Sequence, residues 1–247
     1  MQKSMMAGFI LHYYSTVDST NNFAAISDKQ SKLPNKTAIM AEYQSKGKGQ
    51  YQNKWESERG KNILLSLFVI PNLEIQNQFL LSCATALSIK DTVSYFLNVN
   101  AKIKWPNDIY VKKKKIAGIL IENSISGKNI SRSIIGIGLN INQTKFKSGD
   151  YNSFKLINKI SNNRKRVLEY LIYRFNYYYE QLDDSNNGLK NDFDNSLFLK
   201  DELISFKTPD KHTFKGKITG TDNSGKLKIT LENNDVKSFN HKEVFFS

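Results

Sequence analysis

Four consecutive lysines, Lys112 to Lys115, lie inside the stretch IKWPNDIYVKKKKIAGILIEN. Such a run can bind nucleic acid, solvate a hairpin tip, or present one ammonium to an anionic reaction centre. Trp105-Pro106-Asn107-Asp108 precedes it and supplies turn chemistry with one carboxylate. The run that follows is almost wholly apolar, and Gly118 in it lets a ligand or another backbone approach closely. Lys112, Lys113 and Lys114 fit a solvated tip, whereas Lys115 stands where the second strand begins. No aromatic residues interleave the lysines, so stacking on single-stranded bases has little support.

Three further stretches carry candidate chemistry. AEYQSKGKGQYQNKWESERGKNILLSL holds Gly47 and Gly49 between two strands, with Lys46, Lys48, Lys54, Arg59 and Lys61 around them. Closely spaced glycines free backbone N–H groups to point at an anion. The loop is not a Walker loop, because no Gly-Lys-Ser/Thr closes it, and no third glycine opens a helix as in a dinucleotide fold. A phosphate clamp and a plain basic loop both fit it. In VDSTNN, Ser19, Thr20 and Asn21 stand at a helix start, where hydroxyls, an amide and orphan N–H groups either orient a polar ligand or merely cap the helix. In IIGIGLNIN, Asn140 and Asn142 end an apolar strand, placed for a ligand edge or for a strand-end turn.

The elements that must hold these residues are legible from periodicity. FILHYY, TAIMAEY, NILLSLFVI, AKIKW, DIYV, KIAGILIEN and SRSIIGIGLNI read as strands, several of them near-continuous apolar runs suited to a sheet covered by helices. Helices are expected over residues 76–97, over RKRVLEYLIYRFNYYYEQL, and from DSTNNFAAIS with Asp18 or Ser19 as N-cap. The texture changes at residues 183–188. Beyond about Leu197, short alternating pieces separated by Thr208-Pro209-Asp210, Asp222-Asn223-Ser224-Gly225 and Asn233-Asn234-Asp235 read as a small β module. Lys3 and the apolar MMAGFIL resemble a short signal-peptide core, but no small-x-small cleavage site follows, so a strand is expected there. The chain has 247 residues, enough for one large core and a small second domain. Its net charge of +13 favours anionic partners without choosing among nucleotides, nucleic acid and acidic proteins. The single cysteine, Cys83, excludes an intrachain disulfide, suits a reducing cytoplasm, and falls in an apolar helix as a small core residue. No apolar run reaches the ~18 residues of a membrane span.

Taken in order, DSTNN, the Gly-x-Gly loop with its tryptophan, KWPNDIYVKKKKIAGILIEN and IIGIGLNIN resemble the biotin protein ligase family, closely over residues 9–145 and in outline over 197–247. The resemblance implies an α+β fold: a mixed β-sheet backed by helices in a catalytic domain, residues 1–190, and a small C-terminal SH3-like β-barrel, residues 197–247. It implies that biotin's carboxylate attacks the α-phosphate of ATP, with Mg2+, to give biotinyl-5′-AMP. A lysine of biotin carboxyl carrier protein, in acetyl-CoA carboxylase or another biotin-dependent carboxylase, then takes the biotinyl group.

By the same resemblance Lys115 is the catalytic lysine. Biotin is held by Ser19, Thr20, Asn21, Gln44, Lys48, Gly49, Gln50, Lys115 and Gly118. ATP and the adenylate are held by Lys48, Gln50, Trp55, Asn107, Lys115 and Asn140, and Asp108 stands in the metal and phosphate neighbourhood. The loop departs from the usual Gly-Arg-Gly-Arg-x-Gly-Arg-x-Trp, since Gly47-Lys48-Gly49-Gln50-Tyr51-Gln52-Asn53-Lys54-Trp55 lacks its arginines and their bidentate contacts. Some members carry an N-terminal helix-turn-helix domain. DSTNN is reached by residue 21 here, so the expectation is a short form with no specific DNA target, no membrane association and a monomeric or homodimeric state. The charge then serves nucleotide binding, docking of an acidic carrier, or solubility. A lipoate or octanoyl transferase of the same fold, or a nucleic-acid-binding protein using the lysine tip and β module, are the competing readings.

Overall fold

A computed structural model describes residues 2–31, 33–182 and 188–246. The order is β1 (Gln2–Met6), β2 (Phe9–Tyr14), α1 (Thr20–Ser31), β3 (Thr37–Ala41), β4 (Ile63–Val69), α2 (Gln78–Leu97), β5 (Lys102–Lys104), β6 (Asp108–Val111), β7 (Lys114–Ser126), β8 (Asn129–Leu139), α3 (Phe154–Asn158), α4 (Arg164–Tyr179) and α5 (Gly188–Asn195). Then follow β9 (Leu203–Lys207), β10 (Thr213–Thr221), β11 (Leu227–Leu231), β12 (Val236–Phe239) and β13 (Phe245–Phe246). Eight strands form one sheet in the order β1-β2-β3-β4-β8-β7-β6-β5. Within it β2 and β3 pair in parallel and the other neighbours pair antiparallel, so the sheet is mixed. The remaining five strands form an antiparallel sheet in the order β12-β11-β10-β9-β13.

Alternation along the strands separates two faces. Ile63, Leu65, Leu67 and Val69 of β4 and Ile135, Ile137 and Leu139 of β8 join the core with Cys83, Leu87 and Ile89 of α2 and Leu168, Leu171 and Phe175 of α4. The intervening positions, Ser66 of β4 and Gly136 and Gly138 of β8, therefore belong to the opposite face, where α1 begins. Cys83 is fully buried, and burial pushes its thiol well up, as befits a core residue.

The structure adds elements that the periodicity did not announce. The MMAGFIL segment forms a hairpin, β1 and β2 joined through Ala7 and Gly8, both at positive φ. The five-residue α3 follows the N-cap Ser153, whose Oγ accepts from Leu156 N at 3.1 Å. The helix expected to start at residue 76 starts at Gln78, after a 3-10 turn over Ile75–Asn77. Of the texture change expected at 183–188, residues 183–187 lie outside the described residues. α5, just beyond, touches both sheets' surroundings: Phe193 meets Phe79 of α2 edge-on at 5.2 Å, and Thr221 Oγ1 donates to Asp194 at 2.7 Å. Among the described residues no helix is long and apolar enough to cross a membrane.

One ionic clasp fastens α2 to α4. Asp91 Oδ2 accepts from Tyr178 Oη at 2.7 Å and from the Arg174 guanidinium. Burial alone would raise the Asp91 carboxyl, but the bonds from Tyr178 and Arg174 outweigh it and hold the carboxyl below its usual range. A depressed folded-state pKa stabilises the fold above the unfolded value near 3.8 and loses that contribution as pH falls through the folded value. Asp91→Ala is expected to cost about 1–3 kcal/mol at pH 7, because it orphans two half-buried donors. Urea unfolding at pH 7 and pH 3 checks this: the gap between variant and wild type narrows in acid, and a gap independent of pH contradicts the assignment.

Candidate active site

A cleft of about 890 Å³ opens on the sheet face that carries Ser66, Gly136 and Gly138. One wall comes from the β6–β7 hairpin, through Asp108, Lys115 and Gly118 rather than through its tip. Lys112 and Lys113 form the two-residue turn with φ of 50° and 63°, the left-handed pair that such tips require, and both side chains are exposed. Tyr110 pairs with Lys115 and Ile109 with Ala117, so Ile116 is one residue too many. This bulge decides where the lysine points. Lys115 and Gly118 are three apart, and in a regular strand they would face opposite sides. The extra residue puts both Ile116 and Ala117 in the core and swings Lys115 to the side of Gly118. Lys115 Nζ then lies 2.7 Å from Asp108 Oδ1 and 5.6 Å from the centre of the Trp55 ring. Burial raises the Asp108 carboxyl, and the neighbouring Lys115 and Lys104 ammoniums offset part of that rise.

The floor of the cleft is glycine. A Cβ on Gly138 would come 2.3 Å from the Trp55 indole, and one on Gly136 would come 2.5 Å from Asn21 Oδ1. Only bare backbone at these positions lets the indole and the amide lie flat against the sheet.

At one end of the cleft, polar groups are tied into a network. Thr20 N donates to Gln44 Oε1 at 2.7 Å, and Ser66 Oγ reaches Thr20 Oγ1 at 2.7 Å and Asn21 Oδ1 at 2.6 Å. Asn21 Nδ2 donates to Glu122 at 2.7 Å. Gln44 uses its oxygen in this way and keeps its Nε2 hydrogens for the cleft. Ser19, Thr20 and Asn21 are all nearly fully buried, and α1 begins at Thr20, which leaves Ser19 in the cap position. This end offers neutral donors and acceptors, the chemistry of an uncharged polar ring.

The other end differs. Asn140 Nδ2 donates to Asn152 O at 3.1 Å, while its Oδ1 is buried without a partner. Trp55 Nε1 is a second buried atom without one. Free acceptor and free donor beside an aromatic face suit the edge and plane of a heterocycle.

Every residue expected at the site lines this one cleft: Ser19, Thr20, Asn21 and Gln44; Lys48, Gly49 and Gln50; and Trp55, Asn107, Asp108, Lys115, Gly118 and Asn140. Asn107 also has a structural task, since its Nδ2 donates to Ile119 O at 2.7 Å and fixes the bulged strand. Asn142 does not line the cleft. Its amide is spent on Asn162, to which it donates and from which it accepts. Of the five cations around the Gly-x-Gly loop, Lys48 and Lys54 line the cleft and Arg59 does not; its guanidinium donates to Ser15 and Thr16. Other residues at the cleft escaped the sequence reading. Ser66, which does not line the cleft itself but bonds Thr20 and Asn21 that do, looks like any polar residue of a strand. Phe146 and Tyr151, stacked at 5.6 Å, and Lys145 and Lys147 come from the segment after β8, which carries no motif. His241 arrives from the turn between β12 and β13 of the C-terminal module.

The mixed sheet thus gathers, on one glycine-floored face, a lysine, an indole and a capped helix start around a single cleft of small-molecule size. The chain belongs to the Biotin/lipoate A/B protein ligase family, which matches residues 13–140. It is 31% identical over 141 residues to the bifunctional ligase/repressor BirA of Bacillus spizizenii, covering 57% of this chain and 43% of that protein. It is 31% identical over 109 residues to the biotin–[acetyl-CoA-carboxylase] ligase of Mycobacterium tuberculosis, covering 42% of this chain and 39% of that one. The matched regions span less than half the length of these curated relatives. The biotin protein ligase of Aquifex aeolicus in complex with biotin and ATP superposes with a TM-score of 0.79 at 25% identity, over 96% of this chain and 99% of that one.

Proposed function

We propose that this chain is a biotin protein ligase that activates biotin as biotinyl-5′-AMP and passes the biotinyl group to a lysine of biotin carboxyl carrier protein. The observation that carries this reading is the meeting, in one cleft, of four separated stretches around Lys115. The relatives' names and the biotin- and ATP-bound neighbour support it, and the biotin ligases among them favour it over a lipoate or octanoyl ligase.

The neutral network of Thr20, Asn21, Gln44 and Ser66 takes the ureido ring, and the glycine floor admits the fused rings. Biotin's carboxylate then lies at Lys115. The adenine lies by Trp55 and the free Asn140 oxygen. Carboxylate and α-phosphate are both anionic, so their approach is opposed until a fixed ammonium stands between them. Lys115 supplies it and stabilises the charge that develops as the carboxylate oxygen bonds to phosphorus and pyrophosphate leaves. The partly buried cleft strengthens that interaction relative to water. In the second step the carrier's neutral lysine amine attacks the acyl carbon, and AMP departs with the former carboxylate oxygen. Asp108 holds Lys115 aimed before the substrates arrive.

Magnesium accompanies the nucleotide in this chemistry. Among the described residues no three His, Cys, Asp or Glu side chains converge on one point, and Asp108 is already paired with Lys115. The described residues do not build a magnesium cage. Residues 1–190 serve as the catalytic domain. Residues 197–247 serve as an appended SH3-like barrel, a reading supported by the five antiparallel strands. The lone buried cysteine suits action in the cytoplasm.

The test is mass spectrometry of a purified biotin carrier domain incubated with the protein, biotin and ATP. Biotinylation of its single target lysine is expected; an unmodified carrier overturns the reading. The atypical loop gives a second expected outcome. Gln50 lines the cleft at a position where the family places arginine. A charge-assisted contact is worth ~1.5–3 kcal/mol, so Gln50→Arg should slow release of biotinyl-5′-AMP by roughly one to two decades. Unchanged release would show that neighbouring lysines already supply the charge, or that loop ordering rather than charge governs retention.

A further inference from the structure

The loop over the cleft reaches beyond the catalytic domain. It is a small hairpin of its own, with Gly49 N donating to Asn53 O at 2.7 Å and Trp55 N to Gly47 O at 3.1 Å. Tyr51 stands at its tip in a left-handed conformation, φ 50° and ψ 48°, with 58% of its surface exposed. Left-handed backbone is unfavourable for a tyrosine, so contacts at the tip lend it support beyond the loop's own hydrogen bonds. That support comes from the C-terminal sheet. The Tyr51 ring lies 5.0 Å from the His241 ring, and Lys242 Nζ lies 3.7 Å from the Tyr51 ring centre. His241 in turn meets the Trp105 indole edge-on at 5.8 Å, and Trp105 Nε1 donates to Gly225 O at 2.8 Å.

We propose that Tyr51, His241 and Lys242 form a latch through which the C-terminal sheet holds the loop closed over the reaction intermediate. The receiving turn is preorganised: Asn240 N donates to Glu243 Oε2 at 2.6 Å, and Glu243 N donates back to Asn240 O at 3.1 Å. His241 and Lys242 are thus fixed between these two residues. The Trp105 contact joins the latch to the turn that carries Asn107 and Asp108, so loop tip and phosphate end share one support. Burial, with Lys242 nearby, holds the imidazole below its ordinary range against the pull of Asp108, which leaves a neutral ring beside the ammonium at neutral pH. The three are positioning residues. The latch supplies at the tip part of the hold that the missing loop arginines would have supplied at the ligand. Its effect on the intermediate rests on the proposed ligase reading, but the contact does not.

Two measurements separate these. Trypsin cleavage after Lys48 and Lys54 in the ligand-free protein, read by mass spectrometry, reports loop opening. Dissociation of preformed biotinyl-5′-AMP reports its consequence. An aromatic pair together with a cation–π contact leads us to expect roughly five- to tenfold faster cleavage and release in Tyr51→Ala and in His241→Ala. Lys242→Ala should give a smaller rise, and Tyr51→Phe should stay near wild type. The double variant Tyr51→Ala/His241→Ala should be no worse than the worse single one, since both remove the same contact. Lys237→Ala, an exposed charge elsewhere on that sheet, should change neither rate. Unchanged cleavage in both alanine variants, or a fully multiplicative double variant, overturns the latch. Faster cleavage in a protein that forms no adenylate keeps the latch and removes the ligase reading.

Discussion

Lys115→Ala is expected to slow adenylate formation by about 10²–10³-fold at saturating biotin and ATP, the scale of losing one preorganised electrostatic donor. The same change at Lys112, Lys113 or Lys114 should leave the rate within about twofold, because those side chains point into solvent, where a charge is heavily screened. The difference comes from the bulge at Ile116, which turns one lysine of four onto the cleft. Lys115→Ala also strips Asp108 of its ion-pair partner, and the carboxyl, already raised by burial, should rise further. A thermal-unfolding control therefore accompanies the kinetics. Lys115→Arg keeps the charge and the pairing with Asp108 and should fold normally, yet its larger planar head should not restore the full rate. Single-turnover formation of biotinyl-5′-AMP is the measurement. Equal losses at all four lysines would mean that the run acts as a diffuse patch.

Gly138→Ala is the second large expected effect. The added Cβ would lie 2.3 Å and 2.5 Å from two atoms of the Trp55 indole, far inside contact distance. A flexible side chain could swing away, but this ring is wedged between the sheet and the closed loop, so it must lift by about an ångström or more. Misplacement on that scale costs up to about 10²-fold in a well-oriented reaction. The indole carries Lys115 over its face and its own loop over the cleft, so kcat/KM for ATP should fall by roughly 10–10²-fold. Gly118→Ala is the internal comparison. Its Cβ would meet the indole at 3.1 Å and the Lys115 side chain at 3.2 Å, tight contacts that a few tenths of an ångström relieve. The loss there should be several times smaller. A fully active Gly138→Ala enzyme would show that Trp55 has no fixed place in the reaction.

These two variants also mark how far the sequence could be read. The turn before Lys115 and the apolar run after it set that lysine apart from its neighbours in position, and the family resemblance gave it its chemistry. The face it presents was not legible, because strand alternation alone puts Lys115 and Gly118 on opposite sides and the bulge has no sequence signal. The residues of IIGIGLNIN left two asparagines of equal standing, and only the family resemblance chose Asn140. Tertiary contacts divide them: Asn140 keeps a free oxygen in the cleft, and Asn142 is consumed by Asn162. A strand with a near-continuous apolar run, such as β4, was legible because burial on both faces leaves that pattern, and β8 because its core isoleucines alternate with the glycines of the cleft. β1 and α5 were not, since their short mixed sequences acquire order from partners far along the chain. His241 lies well over a hundred residues from the loop it touches, and no local rule joins them.

The ligase reading is tested most directly by ATP–pyrophosphate exchange, which reports adenylate formation without a carrier protein. Exchange should require added biotin, should not be sustained by lipoate or octanoate, and should all but vanish in Lys115→Ala. Exchange that proceeds without biotin, or that prefers lipoate or octanoate, would contradict the account.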